Sequence, residues 1–521
     1  MAYIIEKIVQ RKGDDVALVD ERGSTTWRAF NDRVNQTIHA FRAAGMRTGD
    51  VVALMTQNRR EYFEVMVAAM HNGLVVVPVN WHWVGTELAY VLEDSGARAL
   101  VVEDHYLPVA VEACQGLEGC PLRWVIASDS GLPATFESFE SVLARQSTEE
   151  PTDQSGGGPM FYTSGTTGFP KGVRSGISAS GGDLALVELV AQSAMGLLGI
   201  PTDGVSLLEG PAYHSAQWAF SVFPLLGSAS TVVMRRQFDP AELLELIDRH
   251  QVTNLHLVPT QFVRLLKLPQ ETQAAFDGSS LVNVVHGAAP CPPPTKARMI
   301  DWWGPVISEY YGGTEGGFLT YVTSPEWLER PGTLGRSTAT CELMIINDDG
   351  QPSPVGVSGQ IYFKSTVGAD FEYHNAPEKT EVAHLAPGVG TLGDIGYLDE
   401  DGYLFLSDRK IDMIISGGVN IYPAEIEGVL TSHPAVEDAA VFGIPNDDMG
   451  EEVKAVVQLT GGREPSVALA DELITFVRQS LAGYKAPRTI DFSDSLPRHE
   501  TGKLYKRLLR DPYWAGTGRS I

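Results

Sequence analysis

The stretch that decides the reading is Tyr162-Thr163-Ser164-Gly165-Thr166-Thr167-Gly168-Phe169-Pro170-Lys171-Gly172-Val173. Thr163 to Thr167 bring four hydroxyls and one glycine together, and Gly168 and Lys171 follow. Small residues let backbone N–H groups come close to an anion. Hydroxyls add donors, and the lysine adds a point charge. This chemistry suits a triphosphate. It is not a Walker A loop, because the GxxxxGK[ST] spacing is missing. A generic Gly/Ser/Thr run would be a solvated surface loop; the full string is far more specific.

Working outward, residues 25–126 alternate strand-like and helix-like segments. Stretches 51–55, 75–79, 99–102 and 124–126 read as short buried strands, with amphipathic stretches 60–71 and 86–95 between them. Apolar strands separated by helices imply βαβ units and parallel sheet. The pattern recurs at 205–300, with strands at 232–234, 254–258 and 282–285 and helices at 239–250 and 260–267. From about 331 to 408 the texture changes to short strands (342–346, 360–363, 403–406) parted by Gly, Pro and Asp turns. A last unit follows. Pro423 opens a helix, Val453, Ala455, Val457 and Leu459 alternate as a strand, and a helix through Ala470, Leu473, Ile474, Val477 and Leu481 is expected to stop at Gly483. The fold class is therefore α/β. A large N-terminal domain, 1–408, holds two α/β subdomains and a β-rich subdomain. A hinge is expected at 409–411, and a small mobile α+β domain at 412–521.

Composition narrows the function. The chain has 521 residues, too many for one compact core. Its net charge of −26 argues against nucleic acid and anionic lipid, which need basic patches. Cys114, Cys120, Cys291 and Cys341 form no CxxC pair and no ligand-like spacing with histidine, so neither a disulfide framework nor a structural zinc site is expected. The N-terminus lacks the long apolar core of a signal peptide. The best apolar run, around 185–200, carries Glu188 and falls short of a membrane span. A soluble, cytoplasmic protein with no integral membrane span is expected.

The glycine- and hydroxyl-rich string closely resembles the phosphate loop of the adenylate-forming superfamily. That superfamily contains acyl-CoA synthetases, nonribosomal adenylation domains and firefly-type luciferases, and this chain is most like an acyl-CoA ligase. Further motifs follow in family order over nearly the whole chain. Pro211-Ala212-Tyr213-His214 resembles the segment whose histidine lines the acyl pocket. Gly287-Ala288-Ala289-Pro290 resembles the adenine-binding strand end. Tyr310-Tyr311-Gly312-Gly313-Thr314-Glu315 resembles the motif whose aromatic packs on adenine, whose threonine contacts the α-phosphate and whose glutamate holds Mg²⁺. Asp394, in Leu392-Gly393-Asp394-Ile395-Gly396, matches the ribose-binding aspartate, and Arg409 a nucleotide-binding arginine. Ser416-Gly417-Gly418 resembles the loop that meets the pantetheine of coenzyme A. Lys503, in Pro497-Arg498-His499-Glu500-Thr501-Gly502-Lys503, matches the C-terminal catalytic lysine. Singly, each has a bland reading: His214 a structural histidine, Glu315 a solvated carboxylate, Asp394 a turn residue, Lys503 part of a basic helical face. Their joint order and spacing speak against coincidence.

The resemblance implies an ATP-dependent carboxylic acid–CoA ligase working through an acyl-adenylate. Its catalytic residues would be Lys503, His214 and Glu315. ATP and AMP would meet Thr163, Ser164, Gly165, Thr166, Thr167, Lys171, Gly287, Ala288, Ala289, Tyr311, Gly312, Thr314, Asp394 and Arg409. Coenzyme A would meet Ser416, Gly417 and Gly418, Mg²⁺ would sit at Glu315, and the acyl group would lie near His214, Gln217, Trp218, Phe220 and Gly313. Small residues at Ala288, Gly312 and Gly313 leave room for a fatty, aryl or polycyclic acid, and no charged residue is placed to grip an α-amino group. Dimerisation, common among such enzymes, is expected by analogy alone. Two departures stand out. Ile411 occupies the hinge position where the family usually has Asp or Lys, and Gln360 stands where many relatives have Glu. Two other readings share the motifs: a freestanding enzyme that loads a separate carrier protein, and a protein competent in only one half-reaction.

Overall fold

The computed structural model describes residues 3–515 apart from 129, 164–169, 177–179, 289–290, 292, 348, 410–413, 422 and 498–505. Five sheets organise it. The first has six strands in the order Glu137–Ser138, Leu122–Ile126, Ala97–Glu103, Val51–Met55, Val75–Pro78, Gly158–Pro159, every neighbour parallel. Val51–Met55 and Val75–Pro78 are buried along their whole length, as strands covered on both faces must be. The helices Arg60–His71 and Gly85–Asp94 fall where the apolar spacing puts them.

The second sheet has nine strands. Its centre is parallel: Ile307–Gly313, Asn283–His286, Asn254–Leu257, Val205–Leu208, Thr231–Met234 and Val16–Asp20. Antiparallel strands close both edges: Gly317–Val322 and Arg336–Ser337 on one side, Gly23–Thr26 on the other. The strand Val16–Asp20 thus crosses from the chain's beginning into the second α/β unit. The interleaving buries one continuous core, with Trp27, Phe30, Phe41, Phe63 and Trp218 in a single cluster. Side-chain caps start the helices locally. Thr26 accepts from Ala29 N–H, Asp239 from Ala241 and Glu242 N–H, and Ser466 from Leu469 N–H.

The β-rich unit is an antiparallel sheet of Cys341–Ile346, Gly359–Ser365, Val389–Leu398 and His384–Ala386, with Leu404–Arg409 pairing Val389–Leu398. The small C-terminal domain holds Val419–Ile421, Ile414–Ser416, Gly450–Leu459 and Val436–Asn446 in antiparallel order, with Thr489–Phe492 added in parallel. Its last long helix, Val467–Ser480, ends before the glycine expected to stop it. Leu481 is already extended, at φ −134° and ψ 158°, and Gly483 instead opens a single 3₁₀ turn, Gly483–Lys485. The expected hinge at 409–411 lies mostly outside the described residues, Ile411 included. Among the described residues no helix is long and apolar enough to cross a membrane.

Candidate active site

Two paired strands flank the hydroxyl loop. Phe161–Thr163 pairs antiparallel with Lys171–Arg174, so Thr163 and Lys171 face each other at its mouth. Ser164, Gly165, Thr166 and Thr167 lie outside the described residues. A third strand, Glu372–Tyr373, pairs on the other side of Lys171–Arg174. It brings a residue the sequence gave no signal for. The Lys171 ammonium sits 4.6 Å from the Tyr373 ring centre, and the Tyr373 hydroxyl donates to Glu315 Oε1 at 3.0 Å. Tyr373 therefore ties Lys171 to Glu315. Burial pushes the Lys171 pKa down, and the like charge of Lys379 adds to it while Glu315 opposes. Burial likewise pushes Glu315 up, against the Tyr373 hydrogen bond and the Lys171 charge. In both groups burial outweighs the opposite charge nearby.

Strand Ile307–Gly313 sends neighbouring tyrosines to opposite faces. Tyr310 joins the core with Phe220, whereas Tyr311 packs with the β-rich unit. The Tyr311 hydroxyl donates to Asp394 Oδ2 at 2.9 Å, inside the protein. Asp394 is the register partner of Arg409 on the adjoining strand, so two separately expected residues share one rung. The Arg409 side chain is outside the described atoms. Gly312 is held to glycine by the Gly317 carbonyl, which a Cβ would strike. Gly287 lies against the Tyr310 ring, and Ala288 is left-handed at φ 65°. Ala289 is not described. Gln360, the departure on strand Gly359–Ser365, donates to Thr391 Oγ1 at 3.3 Å.

Helix Ser215–Gly227 forms the third wall. His214 is its N-cap residue, and its carbonyl accepts from Trp218 N–H at 2.9 Å. The His214 ring lies 4.4 Å from the Tyr213 ring; burial pushes its pKa down to about 4, helped by nearby His82. Ser215 Oγ and Thr314 Oγ1 are 2.9 Å apart, joining this helix to the Thr314–Glu315 turn. Trp218 meets Phe161 edge-on at 5.8 Å, joining it to the strand pair of Phe161–Thr163 and Lys171–Arg174. Gly313 lies against Leu392. Contacts thus link Lys171 to Glu315, Tyr311 to Asp394, and the helix of Trp218 to Thr314.

The small domain docks on this assembly. Gly417 (φ 59°) and Gly418 (φ 79°) make the tight turn between Ile414–Ser416 and Val419–Ile421, and two consecutive positive φ values explain the paired glycines. Gly417 N–H donates to Met449 O at 2.8 Å, and Gly418 abuts the Val258 side chain of the large domain. Arg264 and Asp448 pair at 2.9 Å alongside. A second contact lies deeper. Lys485 bridges Glu425 and Glu87, Tyr484 accepts from Asn80 at 2.8 Å, and the Tyr484 ring meets His82 edge-on. Lys503 lies outside the described residues.

Among the described residues no group of three or more His, Cys, Asp or Glu side chains could hold a metal by itself. A single carboxylate such as Glu315 fits Mg²⁺, which typically uses one or two carboxylates together with substrate phosphates.

The AMP-binding enzyme family matches residues 5–369, and the AMP-binding enzyme C-terminal domain matches residues 425–503. The fatty acid–[acyl-carrier-protein] ligase ScoC of Streptomyces coeruleorubidus is 32% identical over 97% of this chain and 95% of its own length. The medium/long-chain-fatty-acid–CoA ligase FadD8 of Mycobacterium tuberculosis is 31% identical over 94% of this chain and 86% of its own. Among solved structures, the amide bond synthetase McbA from Marinactinospora thermotolerans superposes with a TM-score of 0.85 at 28% identity, covering 98% of this chain and 100% of that one. These matches and the two-domain architecture define a class, the adenylate-forming enzymes. Within that class, the chain belongs to the AMP-binding enzyme family.

Proposed function

We propose that the protein is an ATP-dependent acid–CoA ligase that activates a hydrophobic carboxylic acid as its acyl-adenylate and passes the acyl group to coenzyme A. The observation that carries this reading is the Lys171–Tyr373–Glu315 cluster next to the Tyr311–Asp394 pair, with Asp394 near enough to Glu315 to act on its charge.

In the first step a carboxylate oxygen attacks the α-phosphorus of ATP. A P–O bond forms, the α–β bridge breaks, and pyrophosphate leaves. Two anions must meet, so positioning and charge neutralisation supply the catalysis. Lys171 and the hydroxyl loop hold the departing pyrophosphate. Thr314 lies beside the α-phosphate, Tyr311 against the adenine, and Asp394 with Arg409 on the ribose side. Mg²⁺, held at Glu315, supplies further neutralisation of phosphate oxygens. Lys503 bridges carboxylate and α-phosphate. In the second step the thiol loses its proton, its sulfur bonds to the acyl carbon, and AMP departs. The Ser416–Gly418 turn, seated on Val258, is suited to guide the pantetheine arm toward that carbon. The division at 408–412 is the proposed pivot between the two steps. Cytoplasmic ATP and coenzyme A make the cytoplasm its place of work.

ScoC, by its name, uses a carrier protein, so the same adenylate with a carrier-protein acceptor is the second reading. Mass spectrometry of products, with ATP, Mg²⁺, an acid panel and coenzyme A present or omitted, separates them. Acyl-CoA with AMP bears out the ligase. Acyl-adenylate alone points to a carrier-protein acceptor or to a protein competent only in the first half-reaction, and no product from any acid overturns the proposal.

A further inference from the structure

The first turn of helix Ser215–Gly227 carries a polar pair that the two chemical steps leave unused. Gln217 is 5% exposed, and its Nε2 donates to His256 Nδ1 at 3.0 Å. His256, 1% exposed, sits on strand Asn254–Leu257. Alternation along that strand turns Leu255 and Leu257 into a separate apolar core and His256 toward the helix. There its ring stacks on Phe220 at 4.7 Å and lies 5.8 Å from Tyr310. Phe318 closes the group, 5.4 Å from Phe220 and 5.0 Å from Tyr310. His214 caps the same helix less than a turn from Gln217, and Val258, two residues beyond His256, meets Gly418. The pair therefore lies beside both the acyl-binding helix and the thiol approach.

With Nδ1 accepting from Gln217, the ring proton sits on Nε2. Burial alone holds the ring neutral, pushing its pKa down to about 3. Nε2 is buried and has no hydrogen-bond partner among the described residues. His286 provides a contrast: its Nε2 lies 3.5 Å from Glu309, which also binds Lys296, so its environment is a structural ion cluster. Among the described residues no charged group shifts His256. A buried donor facing aromatic walls is costly unless something accepts from it.

We infer that His256, oriented by Gln217, is a specificity-determining residue whose Nε2–H receives a hydroxyl or carbonyl oxygen on the acyl portion of the substrate. The favoured substrates are oxygenated hydrophobic acids rather than plain hydrocarbon acids. This rests on the acid-activating reading and on helix Ser215–Gly227 lining the acyl pocket. A pocket built to hydrogen-bond a substrate oxygen rejects the analogue that lacks it, because its own donor is left unpaired.

The test uses matched acids: phenylalkanoates with and without one ring hydroxyl, and medium-chain alkanoates with and without one hydroxy or oxo group. Pyrophosphate release gives kcat/KM for wild type, His256→Phe and the double variant His256→Phe/Gln217→Leu. In at least one pair the wild type is expected to favour the oxygenated acid by roughly tenfold or more. Either variant is expected to bring that ratio to within about twofold. Activity on plain acids with no preference in any pair overturns the inference from the wild type alone, whether or not the variants fold. A preference that survives in the variants also overturns it. No pyrophosphate release from any acid is a different failure, because it removes the acid-activating reading first and this inference with it.

Discussion

Lys485 Nζ lies 2.9 Å from Glu87 Oε1, so a lysine of the small domain, 1% exposed, is sunk into a helix start of the large one. Glu425 takes the same ammonium at 2.7 Å. Burial opposes the charge on Lys485, yet Tyr484, Glu425 and Glu87 together hold its pKa above the ordinary lysine value. Removing one partner of such a cluster typically costs about 3–5 kcal/mol, since the remaining charges are left buried and unpaired. Lys485→Met should therefore undo this docked arrangement. The expected result is at least a roughly tenfold loss of thioester formation from supplied acyl-adenylate, with pyrophosphate release changed less than about threefold. Half-reaction assays check it; equal loss in both steps would remove the docked arrangement from the second step.

Tyr373 is the link between Lys171 and Glu315. Tyr373→Phe keeps the ring under the ammonium and removes only the hydrogen bond, so adenylation should fall by roughly three- to tenfold. Lys171→Ala removes the charge itself, and a loss of roughly 100-fold or more is expected. ATP–pyrophosphate exchange measures both. A Tyr373→Phe variant as damaged as Lys171→Ala would mean that the hydroxyl acts directly on the nucleotide.

Lys503→Ala should lose acyl-adenylate formation and keep some thioester formation when synthetic acyl-adenylate is supplied. Quenched-flow assays of the two steps distinguish this from general damage, which would lower both alike.

His214 is held neutral at physiological pH, with its pKa pushed to about 4. His214→Ala should lower kcat/KM for the acid by about tenfold through lost packing. The shape of the pH–rate profile between about pH 5.5 and 8 should not change, because a group at about 4 does not titrate there. A limb near the ordinary histidine pKa that vanishes in the variant would contradict a neutral role.

Glu209 gives a stability prediction. Burial pushes its carboxyl up to about 8, with Glu242 adding to the effect, and its Oε1 has no hydrogen-bond partner among the described residues. The folded protein holds this proton more tightly than the unfolded chain, so its contribution is full below about pH 4.5 and is lost as pH rises toward 8. The slope is at most about 1.4 kcal/mol per pH unit. Thermal unfolding of Glu209→Gln and wild type should diverge steadily over that range, with the variant more stable at the alkaline end. Parallel curves would refute the shift.

Much of the fold was legible because burial imposes a period. The runs at 51–55 and 60–71 carry their own spacing, and the structure places a strand and a helix there. The strand Val16–Asp20 shows the limit: it is too short to stand out as a pattern of its own, and its partner is Thr231–Met234, more than two hundred residues on. The helix end at Ser480 shows another. Gly483 looked like the stop signal, but Leu481 and the Tyr484–Lys485 contacts pull the chain away earlier. At the site, Asp394 and Tyr311 stood out through their motifs, and their hydrogen bond joins them. Tyr373 sits in a turn-rich stretch with no period, and only the three-stranded pairing brings it under Lys171. His256 was visible merely as part of a strand; its exposed chemistry depends on which face that strand turns to helix Ser215–Gly227.

The rung shared by Asp394 and Arg409 carries a mechanical consequence. Strand Leu404–Arg409 stands at the end of the large domain as the chain leaves for the small one. Whatever grips the ribose side of the sheet also pulls on that strand, one hydrogen-bonded step away. On the proposed reading, a nucleotide held at Asp394 would be felt at the departing chain with no intermediary helix, and its release would be coupled to any movement of that chain.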